Sequence, residues 1–320
     1  MRIILLTFLG FLLVPAPPLR ADVRFQTDGN RIKVLVDGKV FTEYRGDGRI
    51  PCLYPLHGSS GASLTRHFPF KKGVPGEAAD HPHHVSFWFT HGSVNGHDFW
   101  HKDDCRIVHR KLLQVNSGSS SKGSVITHRG NFAVRLEWIA GDQTLLTEDR
   151  SYRMVAEGPN RIIDVTSKLT ATNGDVVFGD TKEGSFAIRL APTLRLKGEV
   201  AAGHILNSEG EKDGATWGKR ARWVAYHGPD ETGAPAVVAI LDHPSNLRHP
   251  TWWHARDYGL LAANPFGRHD FERKKNEPHL GDHTLRKGET LTQKYRLVLH
   301  QGTLESARIE NSWKDFSAKH

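Results

Sequence analysis

Arg31-Ile32-Lys33-Val34-Leu35-Val36-Asp37-Gly38-Lys39-Val40-Phe41-Thr42-Glu43-Tyr44 reads as two strands and the turn between them. Polar and apolar residues alternate on both sides of Asp37-Gly38, as a strand with one buried face requires. Asp-Gly tolerates the positive φ angles that the tightest hairpin turn demands. Working outward, residues 107–115 and 124–128 form another expected pair, divided by a Ser/Gly/Lys loop at 116–123. Residues 131–139 and 144–155 flank Gly141-Asp142, and residues 161–171 and 176–178 flank Asn173-Gly174. Further strands are expected at 185–190, 222–226, 236–241 and 292–300, and one short helix at 304–316. Many short strands with frequent Gly turns, no fixed repeat and no linker predict an all-β fold. We read residues 22–320 as one domain, a large two-sheet β-sandwich with a short C-terminal helix.

The N-terminus sets an expected compartment. Arg2 is followed by an apolar run from Ile3 to Val14, a break at Pro15, and Ala21 before Asp22. That is the order of a cleaved signal peptide, residues 1–21, and the run is shorter than the roughly 20 residues of a spanning helix. The mature chain is expected to be periplasmic or secreted, with no later membrane span. Formal net charge is +8, and loss of Arg2 and Arg20 leaves +6. Acids are interleaved with the bases, and Arg273-Lys274-Lys275 reads as a solvated loop, so no nucleic-acid partner is expected. Such a surface does suit an anionic sugar or polymer. Cys52 and Cys105 either pair or stand as separate buried thiols, and two cysteines cannot build a thiolate metal centre.

Two segments break the strand rhythm, 57–101 and 243–271, and long ordered loops on a β scaffold are where function concentrates. Nine histidines fall from His57 to His109. His81, His83, His84 and His91 stand beside Asp80, Asn95, Asp98 and Trp100, a set suited to proton transfer or ligand binding. The same four histidines are the candidate ligands of a divalent metal, although no zinc spacing is present. Asp180 and Glu183, three apart at a strand entrance, offer a base. The second segment brings His243, His249, Trp253, His254, Arg256 and Asn264. Aromatic faces with fixed amide, carboxylate and guanidinium groups suit a sugar, and Arg256 also suits an acidic group.

At the segments 80–100, 180–186 and 243–267 the chain resembles the PmoA-like family of exported bacterial β proteins. The likeness spans residues 30–300. The methane-oxidising chemistry in that family name belongs to a bundle of membrane helices and is not carried over. A second likeness, resting on β content, length and a His-Pro dipeptide, is to galactose-mutarotase-type supersandwich proteins. It implies His81, His84 or His254 as acid and Glu183 or Asp180 as base around a sugar ring. Three readings follow: an exported carbohydrate-active enzyme of epimerase, lyase or hydrolase type, a histidine-rich metal-dependent oxygenase or hydrolase, and a non-catalytic glycan-binding module. The expected partner is a small-molecule or glycan ligand, and no motif demands a cofactor.

Overall fold

A computed structural model describes residues 22–122 and 125–318, with side chains described outside 119–126. The proposed signal peptide lies outside the described residues. Asp37 and Gly38 take φ angles of 55° and 73°, and Arg31–Val36 pairs with Lys39–Arg45 around them as the sequence predicts. The first eight-stranded sheet runs, in spatial order, Val23–Asp28, Arg31–Val36, Lys39–Arg45, Cys52–Leu53, Phe87–His91, Gly184–Arg189, Leu260–Asn264 and Trp252–Ala255. The second runs His204–Asn207, Trp223–Pro229, Pro235–Asp242, Thr290–Gln301, Asn160–Ala171, Gln143–Glu157, Val125–Ala140 and Cys105–Lys122. Every pairing is antiparallel.

The sheets stack face to face, as a β-sandwich does. Phe186 of the first lies on Tyr295 of the second, centroids 4.6 Å apart, and Phe89 meets Trp138 at 5.8 Å. Cys52 and Cys105 are separate buried thiols, and burial pushes Cys52 up to about 12. The outer face of the second sheet is covered by the C-terminal segment. Ile309 and Phe316 pack on Trp223, Val237 and Leu241, each buried side chain stabilising by about 1.5–3 kcal/mol.

The structure corrects three expectations. Residues 116–122 of the expected 116–123 loop are strand: pairing runs on to Lys122 and Val125 because the neighbouring strand satisfies its backbone whatever its polarity. Val176–Phe178 does not fold back on Asn160–Ala171 but pairs with His283–Leu285 in a separate two-stranded sheet. The helix is broken at Arg308, φ 46°, into Leu304–Ala307 and Ile309–Ser317.

Candidate active site

The site is built on the outer face of the first sheet. Register aligns Trp88, Ala187, Ala262 and His254 across four adjacent strands. Side chains alternate in a strand, so Trp88 and His254 lie on the sheet face opposite Phe87, Phe186 and Trp253. Arg189 stands two residues beyond Ala187 on the same face. Long loops cover this face and bring in the polar groups.

Asp80 is the hub of one half. Its Oδ1 accepts from Arg66 Nη1 at 2.6 Å and from Arg189 Nη2 at 2.9 Å, and both arginines are buried. Burial, the Arg66 charge and the incomplete compensation by Asp80 bring Arg189 down to about 10. Arg189 Nη1 also donates to His84 Nδ1 at 2.9 Å. A guanidinium only donates, so His84 carries its proton on Nε2. Burial, then the arginine and neighbouring imidazole charges, push the His84 pKa down and keep the ring neutral. It is stacked between Trp88, at 5.3 Å, and His81, at 4.8 Å, and the series continues through His81 to Tyr258 at 5.3 Å. Arg189 lies over the Tyr258 ring at 4.5 Å, and Arg256 at 5.3 Å.

The other half is a cluster of titratable side chains. His254 Nδ1 donates to the Lys182 carbonyl at 3.0 Å, which leaves Nε2 a bare lone pair, buried and without a protein partner. Burial brings His254 down to about 4, against the nearby Glu183 charge, so the ring is neutral. Burial opposes the Glu183 charge, but its Lys182 bond at 2.9 Å and the fields of His254 and His101 outweigh it and hold the carboxyl below its ordinary range. His83, brought down to about 4 chiefly by burial and then by His101, also feels Glu183, and its Nε2 is buried without a protein partner. His83 meets His101 edge-on at 4.6 Å. His101 gives its Nδ1 proton to Asp98 Oδ2 at 2.9 Å and so presents Nε2. Asp98 is fixed in turn by the amides of Trp100 and His101. Arg49 staples this loop: Nη1 donates to the carbonyls of Phe99, Lys102 and Cys105, and Nη2 to that of Trp100. Trp100 is buried against His84 and Trp88, with its indole N–H unpartnered. Tyr258 keeps its proton, because burial raises its pKa against the Arg256 and Arg189 charges.

Of the residues singled out from sequence, His81, His83, His84, Asp98, Trp100, Glu183, His254 and Arg256 therefore come together. The remainder serve the scaffold. Asp180 is turned away from Glu183 and accepts from the amides of His269 and Gly281. Asn264 ties Thr181 to the amides of Phe266 and Gly267. Asn95 bridges to Asp175 and Val177. His249 pairs with buried Asp242 at 2.7 Å and stacks on Trp313, and His243 packs on Phe316, under the C-terminal helix. Trp253 is core, its indole N–H given to the Ala221 carbonyl. Sequence reasoning missed Arg66, Arg189, His101 and Tyr258. A lone arginine in the apolar run of Gly184–Arg189 was the available signal for Arg189.

The four-histidine metal set does not assemble. His81 and His84 lie face to face, so their nitrogens do not converge, and His84 Nδ1 is taken by Arg189. His91 is on the core side, its nitrogens engaged by the Gly179 carbonyl and Ser185 Oγ. Among the described residues, no group of three or more His, Cys, Asp or Glu side chains could hold a metal ion.

A family model described as "Family of unknown function (DUF6807)" matches residues 31–314. No curated protein matches the chain. Among solved structures it is similar to the galactosidase domain of the alpha-galactosidase-sucrose kinase AgaSK, with 10% identity, a TM-score of 0.41, and coverage of 87% of this chain and 40% of that one. It is also similar to the GH36 alpha-galactosidase AgaA from Geobacillus stearothermophilus, with 10% identity, a TM-score of 0.38, and coverage of 87% and 41%. A variant of AgaA in complex with raffinose gives 11% identity, a TM-score of 0.39, and coverage of 88% and 40%. The chain spans about two-fifths of the length of these proteins.

Proposed function

We propose that this chain, which belongs to the DUF6807 family of unknown function, is an exported carbohydrate-active protein that performs acid–base chemistry on a sugar. One observation carries the reading: Glu183, held ionised, and His254, neutral with a bare buried Nε2, lie within electrostatic reach of each other, of His101 held by Asp98, and of His83. This cluster offers acceptors in Glu183 and His254 Nε2, and donors in Trp100, Tyr258 and Arg256. Sugar hydroxyls need that combination. Glu183 takes a proton from the sugar and, once protonated, returns it, while the neutral His254 and His101, the latter oriented by Asp98, each accept a hydrogen bond from a hydroxyl at Nε2. Export rests on residues 1–21.

The test is proton NMR of candidate sugars with the protein. Glu183→Gln and His254→Gln should each slow the change of anomeric or ring signals by about 10²–10⁴-fold, the worth of one positioned acid or base. Thermal unfolding should stay nearly unchanged. Line broadening without chemical change, in the unaltered protein, points to a binding module instead. Loss of folding in both variants shows the pair to be structural. Protein recovered from the periplasm should begin at Asp22 by intact mass.

A further inference from the structure

Beyond His83 and His101 the chain leaves a groove of about 490 Å³, within the range of small-ligand clefts. Its walls include Arg45, Arg49, Asp47, Phe70 and Asp103 as well as those two histidines. The charges there are already matched, with one exception. Asp47 is bonded to Arg31 at 2.5 Å. Arg49 spends its N–H groups on the four loop carbonyls, with Asp103 3.8 Å away. Arg45 has no carboxylate in ion-pair reach among the described residues. Its guanidinium lies over Phe70 at 4.3 Å and near Tyr54 at 5.9 Å. Stacking occupies the face of a guanidinium and leaves the N–H groups in its plane free to fork onto a carboxylate or sulfate. Phe70 and Tyr54, tilted together at 4.3 Å, hold that plane in place.

We infer that this groove is a second sugar subsite, that Arg45 binds the oxyanion of an acidic sugar unit there, and that the substrate class is an acidic oligosaccharide running from Glu183 past His83 and His101 to Arg45. The inference rests on the sugar reading above and narrows it.

The experiment is calorimetric titration of the full mature protein with di- and trisaccharides of galacturonate and mannuronate, sulfated disaccharides, and their neutral counterparts. An acidic series should bind at least tenfold more tightly than its neutral counterpart, and the preference should shrink as salt rises. Whether carboxylate or sulfate is the natural group follows from which series binds. Arg45→Gln should erase the preference while leaving neutral-sugar affinity unchanged, and Arg45→Lys should keep part of it, which guards against a folding artefact. Equal binding of acidic and neutral sugars, or a preference untouched in Arg45→Gln, overturns the subsite and leaves the sugar reading standing. No binding by any sugar in the panel overturns both.

Discussion

A buried imidazole titrates differently from a solvated one, and this chain holds several. His254 and His91 are brought from 6.5 to about 4, in both cases chiefly by burial. The unfolded chain therefore binds more protons than the folded one between those values. Stability is complete above pH 6.5 and is lost as pH falls toward 4, by about 3 kcal/mol for each such residue. Urea midpoints at pH 7.5 and 4.5 should differ accordingly, and His91→Gln should reduce the difference. An equal difference in the variant would show that His91 is not one of the groups responsible. Chemical identity at this scale was legible in part. His83, Glu183 and His254 stand out in the sequence by type and company, whereas Asp180 looks equally reactive and proves to be a backbone clamp. Arg189 shows beforehand only as a lone arginine in an apolar run, because nothing local tells that it reaches Asp80 across the outer face.

At the scale of elements, alternation revealed strands with one wet face and failed for those with none. Phe87–His91 and Leu260–Asn264 are buried along their whole length, so no period-two signal marks them, and both hid inside segments read as loops. They are the strands on which the site rests. The second sheet holds a charge pair inside its own layer. Glu148, fully buried, accepts from Arg150 Nε at 2.6 Å, Trp138 Nε1 at 2.8 Å and Ser167 Oγ at 2.6 Å. Glu148→Ala should cost about 3–5 kcal/mol in denaturant unfolding by leaving buried Arg150 without its countercharge. Adding Arg150→Met should recover much of that loss, and a double variant no better than the single would refute the pairing as its cause.

Across the whole molecule, the sandwich divides its outer faces: the C-terminal segment covers one and the histidine-rich loops cover the other. That division explains why 80–101, 183 and 254–258 meet while His243 and His249 do not. Between Pro235–Asp242 and Trp252–Ala255 the chain changes sheets, so neighbours in sequence end on opposite sides of the fold. Spacing along the chain carries no trace of such a crossing. The Arg49 staple has its own consequence. One side chain at a sheet corner decides where the Asp98–His101 pair stands, and lysine cannot fork to four carbonyls. Arg49→Lys should depress turnover of a neutral monosaccharide at least tenfold with its affinity little changed, measured by NMR conversion and calorimetry, and a matching loss of affinity would refute the role. A screen for inactive alleles would then score position 49 beside the proposed reactive residues, although its N–H groups are spent on backbone carbonyls.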